Sequence, residues 1–106
     1  MPIGDIDSLR IVERLPGWRG RFFHTDAMTF VHYVFDAGAT IHEHHHPEEE
    51  VYEVLAGELE ITIDGDVHHA RPGLVAIVPA DVRLGVRAVT DGQVIVIDHP
   101  ARRELG

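Results

Sequence analysis

The alternation of hydrophobic and polar residues along the chain predicts short β-strands rather than helices. The clearest example is Glu58–Ile63, in which hydrophobic and polar residues alternate strictly and Asp64-Gly65 follows as a tight-turn signal. Further strands are predicted at residues 29–35, 51–55, 66–70, 74–78, 84–88 and 94–98. No window has the apolar stripe of a helix of several turns. Repeated strands at this spacing predict an all-β fold, either a sandwich or a barrel.

The length and composition are those of one domain. The chain has 106 residues, of which 44% are hydrophobic, as in an ordinary globular protein. Its N-terminal region is interrupted by proline and glycine, and the pattern at Leu9–Leu15 fits a short strand and a helical turn equally well. We divide the chain into an N-terminal arm with edge strands at 1–27, a barrel at 28–103 and a tail at 104–106.

The charge balance limits the classes of partner. Nine basic residues stand against eighteen acidic ones, which gives a net charge of −9. This balance disfavours nucleic acid and anionic membranes, since both are bound through basic patches. The sequence has no cysteine, no apolar run long enough to span a bilayer and no signal-peptide pattern. We therefore expect a cytoplasmic protein whose partner is a small-molecule ligand or substrate.

Histidines are concentrated in one segment, where four of the nine lie at His42 and His44–His46. Residues two apart in a strand face the same side, so His42, His44 and His46 are predicted to share one face. The carboxylates of Glu48–Glu50 follow directly. Two imidazoles and one carboxylate can bind catalytic zinc or non-haem iron and leave coordination positions open. We therefore predict a divalent-metal site; a polar pocket without metal and a solvated loop are the alternatives.

Five residues of this region reproduce, at the same spacing, the first signature motif of the cupin superfamily: Gly38, His44, His46, Glu50 and Gly57. A looser second motif covers residues 72–81, and residues 94–103 resemble the end of small single-domain cupins of pectin degradation that open a 4-deoxy uronate ring. The resemblance implies a small jelly-roll barrel, usually homodimeric, with an internal metal site. It also implies that three side chains at the motif positions bind the metal, namely His44, His46 and Glu50.

The sequence departs from the family pattern in the second motif. Leu84 stands where the family has its fourth ligand, a histidine, and Ala88 stands where an asparagine often follows. Three consequences are open. The metal is held by three protein ligands and water, or another histidine (His42, His32 or His99) replaces the missing ligand, or the pocket binds small molecules without an ion.

These residues favour an enzyme that acts on a small polar or anionic, sugar-acid-like molecule. A divalent transition metal (Fe, Mn, Ni or Zn) would support isomerase, lyase or dioxygenase chemistry. Tyr52 and His32 are the candidate acid/base residues, although core packing also explains Tyr52 and the role of a hydrogen-bonded inner histidine also explains His32. Candidate anion-binding arginines are Arg21, Arg83 and Arg87. The alternative function is a non-catalytic ligand-binding or sensing cupin that has lost the fourth ligand.

The segment Val94–Ile97 is apolar on both faces of its predicted strand. A strand without a polar face is covered on both sides. In so short a chain the second cover is expected to come from another subunit, so we predict a homodimer.

Overall fold

The structure, a computed structural model, describes residues 3–105 as ten β-strands preceded by one 3-10 turn at Ile6–Ser8. The strands, numbered in chain order, are β1 Val12–Leu15, β2 Trp18–His24, β3 Thr29–Phe35, β4 Thr40–His44, β5 Glu49–Ala56, β6 Leu59–Ile63, β7 Asp66–Ala70, β8 Val75–Val78, β9 Leu84–Ala88 and β10 Gly92–His99. The all-β prediction is confirmed. Each predicted strand is present and differs from the structure by at most two residues at either end. No helix within residues 3–105 has the length and apolar composition needed to cross a membrane.

The strands form two antiparallel sheets that enclose the core of a jelly roll. The larger sheet has the order β1-β2-β3-β10-β5-β8, and the smaller one has the order β4-β9-β6-β7. Their inner faces bury side chains such as Trp18, Phe35, Leu59 and Ile61, which are at most 2% exposed. Each such burial stabilises the fold by about 1.5–3 kcal/mol. This apolar layer supports the few polar groups that are also buried.

One inward-facing row of the larger sheet is polar. Across β3, β10, β5 and β8, the register places Thr29 beside Asp98, Asp98 beside Glu50, and Glu50 beside Val78. Thr29, Asp98 and Glu50 are all buried, at 0%, 1% and 4% exposure. The antiparallel pairing therefore brings two acidic side chains from distant parts of the sequence into contact inside the protein.

A β-bulge in β4 changes the faces of the histidine segment. The register with β9 shifts between Ile41 and His44, and both of these residues line the interior cavity. His42 is exposed and lines a groove on the outer surface of the smaller sheet. The prediction that His42 shares a face with His44 is therefore wrong, because the bulge adds one residue and reverses the alternation.

The two ends of the chain meet at the open end of the jelly roll. The Arg14 guanidinium donates a 3.0 Å hydrogen bond to the Glu104 carbonyl. Arg102 donates its backbone N–H to the Thr29 hydroxyl at 2.7 Å. The predicted N-terminal arm thus contributes β1 and β2 to the larger sheet. Residues 1, 2 and 106, which complete the predicted arm and tail, lie outside the described residues.

Candidate metal centre

Three buried side chains converge on one point. Glu50 lies on β5, Asp98 lies on the neighbouring strand β10, and His46 lies in the loop before β5. His46, Glu50 and Asp98 each offer one ligand atom, and these atoms lie within 4.8 Å of one another. His46 Nε2 lies 3.6 Å from Glu50 Oε1. One imidazole and two carboxylates are a donor set suited to a divalent transition metal.

The facing atoms of this group have no hydrogen-bond partner within residues 3–105: His46 Nε2, Glu50 Oε1 and Asp98 Oδ1. A buried polar atom without a partner costs about 1–3 kcal/mol. Three such atoms directed at one another fit a shared cation, which would satisfy all of them at once. The residues present therefore fit a metal ion.

The His46 ring is oriented by its other nitrogen. His46 Nδ1 donates a 3.0 Å hydrogen bond to the Glu48 carbonyl oxygen. Since a carbonyl only accepts, this bond places the proton of the neutral ring on Nδ1 and leaves a lone pair on Nε2. A histidine held in this way by a backbone carbonyl is a typical metal ligand.

The two carboxyl groups have opposite pKa shifts. Burial alone would raise the pKa of Glu50, but His46 and Asp98 beside it outweigh burial and lower that pKa to about 2. Burial and the Glu50 carboxylate raise the pKa of Asp98 to about 9. Like charges directly opposite each other in a ladder repel. Without a metal, the pair therefore keeps one proton, which Asp98 holds.

Arg102 lies beside this pair and is surrounded by carboxylates. Its guanidinium is 3.6 Å from Asp98 Oδ2, 3.5 Å from Glu48 Oε1 and 3.7 Å from Glu104 Oε1. It therefore balances part of the acidic charge around the site. The same arrangement ties the C-terminal segment to the open end of the jelly roll.

A cavity of about 270 Å³ leads to Glu50 and Asp98. Apolar side chains form most of its wall, including Val12, Leu15 and Leu105 at the end where the two chain termini meet. Its arginines are Arg14 and Arg102. This combination of apolar wall and few charged groups is typical of a site for one small molecule.

Two tyrosines also line this cavity. Burial, followed by the charge of Glu50, raises the pKa of Tyr52 well above its usual value. Burial and Glu50 also raise the pKa of Tyr33, to about 12. Both hydroxyls therefore stay protonated near neutral pH and can donate hydrogen bonds.

The structure brings some of the predicted site residues together. His46 and Glu50 belong to the three convergent groups, and Glu50, Tyr52 and His44 line the cavity. The His44 ring centroid lies 5.4 Å from that of His46, and its Nδ1 donates to the His42 carbonyl at 2.8 Å. His44 is thus next to the three convergent groups without being one of them.

Three of the histidines considered from the sequence lie elsewhere. His42 is on the outside of the smaller sheet because of the bulge. His32 is on the outer face of the larger sheet, with its ring centroid 6.1 Å from that of Phe23. His99 follows Asp98 on β10, is exposed, and points to the opposite face of the sheet. These side chains therefore do not line the cavity.

The three arginines expected to bind an anion also lie outside the cavity. Arg21 is on the outer face of the larger sheet, where it donates to the Leu9 carbonyl. Arg83 and Arg87 pair on the surface with Glu43 at 4.0 Å and Glu60 at 3.1 Å. Arg21 and Arg87 point away from the cavity, because each lies between inward-facing neighbours on its strand.

Sequence reasoning missed Asp98, although a signal was present. Val94 and Val96 are buried, and Asp98 continues their alternation. A polar residue that continues a buried apolar series is a candidate site residue.

At the fourth-ligand position, Leu84 is fully buried and is the Cα partner of His44, so a hydrocarbon side chain occupies this place.

Comparison with known proteins places this geometry in a family. Among solved structures, the chain is similar to an RmlC-like cupin from Shewanella frigidimarina, with 24% identity, a TM-score of 0.92, and coverage of 100% of this chain and 96% of that one. It is also similar to KdgF from Halomonas sp., with 25% identity, a TM-score of 0.87, and coverage of 94% and 95%. A mutant of Bacillus subtilis oxalate decarboxylase shares the fold over 92% of this chain and 29% of its own, with 15% identity and a TM-score of 0.81.

No curated protein sequence matches the chain significantly. The family description that matches is that of the Cupin domain, over residues 31–100. This span contains both signature motifs and all three convergent groups. The chain belongs to the cupin family.

Proposed function

We propose that this cupin is a metal-dependent enzyme acting on a small, anionic, sugar-acid-like molecule. Its divalent metal, one of Fe, Mn, Ni or Zn, is held by His46, Glu50 and Asp98. The observation that carries the proposal is the convergence of three buried ligand atoms, which have no hydrogen-bond partner within residues 3–105, beside a cavity with a mostly apolar wall. His44, whose ring centroid lies 5.4 Å from that of His46, is the candidate for a further ligand.

A divalent ion supplies Lewis acidity at such a site, polarising a carbonyl or lowering the pKa of bound water. The protein groups around it hold and orient the substrate. The Tyr52 hydroxyl is protonated near neutral pH. It can therefore donate a hydrogen bond, or its proton, to an oxyanion that develops during the reaction. The apolar wall reduces access of water, which strengthens each of these polar contacts.

The charge distribution of the cavity supports an anionic substrate. Arg102 is already paired with carboxylates, whereas Arg14 donates to a backbone carbonyl and pairs with no carboxylate in residues 3–105. A guanidinium in this position can bind a substrate carboxylate through two parallel hydrogen bonds. The resemblance to ring-opening cupins of pectin degradation, and the fold shared with KdgF, support a uronate-like molecule.

One observation favours the second candidate, a non-catalytic ligand-binding or sensing cupin. Leu84 puts a buried hydrocarbon beside His44, where the family pattern has an imidazole. A site with fewer ligands binds metal less tightly, and a cavity that holds no ion could still bind an anion. The two functions differ in whether a bound molecule is converted.

The test compares binding with conversion. Protein stripped by a chelator and reloaded with each of the four metals is mixed with a 4-deoxy uronate, and NMR follows the ring signals. Ring opening that requires metal supports the enzyme, whereas binding without conversion supports the sensing function. Absence of both with every metal contradicts the proposed substrate class.

Matched tyrosine variants test the site itself. Tyr52→Phe removes only the hydroxyl beside Glu50, and Tyr33→Phe makes the same change on β3, which β10 separates from β5. We expect Tyr52→Phe to lower kcat by about 10²–10⁴-fold, as for loss of a general acid. Tyr33→Phe is expected to change KM more than kcat.

A further inference from the structure

The Glu48 side chain lies between a proposed metal ligand and the arginine at the open end of the jelly roll. Its Oε1 is 3.4 Å from His46 Nδ1 and 3.5 Å from Arg102 Nε, and the side chain is 17% exposed. Arg102 Nε is buried and makes no hydrogen bond within residues 3–105, and Glu48 is the nearer of its two acidic neighbours. Glu48 stands at none of the signature-motif positions, so neither the motif nor the proposed ligand set gives it a role.

Two hydrogen bonds to the backbone hold His46. The Asp81 N–H donates to the His46 carbonyl at 2.8 Å, and His46 Nδ1 donates to the Glu48 carbonyl at 3.0 Å. The second bond orients the ring, but its acceptor lies in the loop before β5. The pairing of β5 with β10 begins at Glu49, so this pairing does not fix the position of the Glu48 carbonyl. The Glu48 side chain can supply the anchor that this carbonyl needs.

Arg102 gives the anchor a fixed end. Its backbone N–H donates at 2.7 Å to the hydroxyl of Thr29, which is fully buried. Its guanidinium lies 3.6 Å from Asp98 Oδ2 and 3.5 Å from Glu48 Oε1. The same arginine thus contacts one proposed ligand directly and a second one, His46, through Glu48. The other ligand atoms of these two residues, Asp98 Oδ1 and His46 Nε2, have no hydrogen-bond partner within residues 3–105.

We propose that Glu48 is a positioning residue of the metal centre, a role that rests on the proposed metal-dependent function. Paired with Arg102, Glu48 holds the His46 ring so that Nε2 is directed at the ion. The carbonyl and the carboxylate of Glu48 both lie on the side of the ring that carries the Nδ1 proton. Acceptors in this place fix the tautomer of a ligating imidazole and make it a stronger ligand.

Glu48→Gln and Glu49→Gln make a matched pair of variants. Each removes one carboxylate charge and keeps the size of the side chain, and Glu49 is the exposed neighbour of Glu48. Titration of the stripped proteins with each of the four metals alone measures metal affinity. We expect Glu48→Gln to bind about 10–100-fold more weakly than the wild type, as for other outer partners of metal ligands. Glu49→Gln should bind as the wild type does, and Glu48→Asp, which keeps the charge, should recover part of the loss.

A double variant tests whether Glu48 acts through Arg102. If the pair works as a unit, Glu48→Gln should weaken metal binding much less in an Arg102→Gln background than in the wild-type background. A purely electrostatic effect of the carboxylate on the ion would be equal or larger once the guanidinium is gone. That outcome would overturn the proposal.

The metal-free protein gives a readout that does not depend on the proposed function. Nitrogen NMR of the His46 ring, at a pH where the ring is neutral, reports which nitrogen carries the proton. We expect Nδ1–H in the wild type and in Glu49→Gln, and a larger share of Nε2–H in Glu48→Gln.

Two results would overturn the positioning role while leaving the metal site in place. These are an unchanged tautomer in Glu48→Gln, and equal metal affinities of the two glutamine variants when the wild type binds metal. A wild-type protein that binds no metal but shows the expected tautomers would instead contradict the proposed function and support the role of Glu48 in orienting His46.

Discussion

Asp98 of β10 lies directly opposite Glu50 of β5, and both side chains point into the jelly roll. Two carboxyl groups in this arrangement are stable only when a proton or a cation lies between their charges. His46, at 3.6 Å from Glu50, adds a neutral ligand atom to the same point. The cross-strand pair is therefore the structural reason for expecting a metal, beyond the histidine motif.

The pKa of Asp98 predicts how the stability of the metal-free protein depends on pH. This pKa is about 9 in the folded chain and near the usual value of 3.8 in the unfolded chain. Between these values the folded protein holds one proton more, so its stability falls as pH rises. The slope contributed by one proton is at most about 1.4 kcal/mol per pH unit. Urea unfolding of chelator-treated protein between pH 5 and pH 9 measures it.

Asp98→Asn provides the control for that measurement, because the amide does not titrate. We expect the stability of Asp98→Asn to fall much less than that of the wild type as the pH rises above 5. Glu50 acts in the opposite direction at lower pH, since its lowered pKa makes the folded state less stable as pH falls toward 2. A wild-type profile that is flat from pH 5 to pH 9 would show that Asp98 titrates normally.

Leu84→His tests the consequence of the missing ligand. Leu84 is the Cα partner of His44 and fully buried, so an imidazole there would face the proposed site. In the metal-free protein a buried imidazole without a partner should cost about 1–3 kcal/mol. Added metal should restore that stability and bind more tightly than to the wild type. Thermal unfolding with and without metal, together with a competition titration, measures both effects.

Val86→His is the matched change for this experiment. Val86 is also buried on β9, but it is the partner of Ile41 instead of His44. The Val86→His variant should be destabilised to a similar extent, and added metal should not restore its stability. If Leu84→His likewise gains nothing, Leu84 does not face the metal site.

The two signature glycines are expected to differ in their tolerance of a side chain. Both have a positive φ, at +85° for Gly38 and +78° for Gly57. A Cβ at Gly38 would meet nothing within 4 Å, whereas one at Gly57 would lie 2.2 Å from the Asp91 carbonyl oxygen. Gly38→Ala should cost about 1–2 kcal/mol from backbone conformation alone. Gly57→Ala should cost a further 1–3 kcal/mol or so because the backbone must move.

Urea unfolding of the two alanine variants provides the comparison. Equal losses of stability would indicate that the turn at Gly57 relaxes without resistance from Asp91. A larger loss for Gly38→Ala would contradict the steric account altogether.

The hydrophobic pattern missed β2 and β4 and left β1 undecided, but it predicted the other seven strands of residues 3–105, because each of them buries one face against the same core. It also predicted that Tyr52 would lie on the same side as Glu50, as the cavity lining confirms. The faces of His42 and His44 could not be predicted in this way. Their separation depends on a bulge opposite Gly85, and a bulge is visible only once two strands are paired.

Asp98 shows a different limit of sequence reasoning. Because Val94–Ile97 is apolar on both faces, the inward facing of Asp98 follows only once Val94 and Val96 are known to be the buried series. Its contact with Glu50 depends on the register between two strands far apart in the chain. The same is true of Arg14 and Arg102, which meet the cavity only because both chain ends close over it. Local pattern indicates which way a side chain points, and long-range pairing determines its neighbours.

Metal binding measured by titration is the most direct test of the central claim. Protein purified without a chelator or a histidine tag is stripped and then titrated with Mn, Fe, Ni and Zn, alongside Asp98→Asn and the control Asp66→Asn on the exposed strand β7. We expect one ion per wild-type chain and per Asp66→Asn chain. Asp98→Asn should bind at least about 100-fold more weakly, since loss of even an outer partner of a ligand costs 10–100-fold. A wild-type protein that binds none of these ions in excess, or an Asp98→Asn variant that binds as tightly as the wild type, would contradict the account.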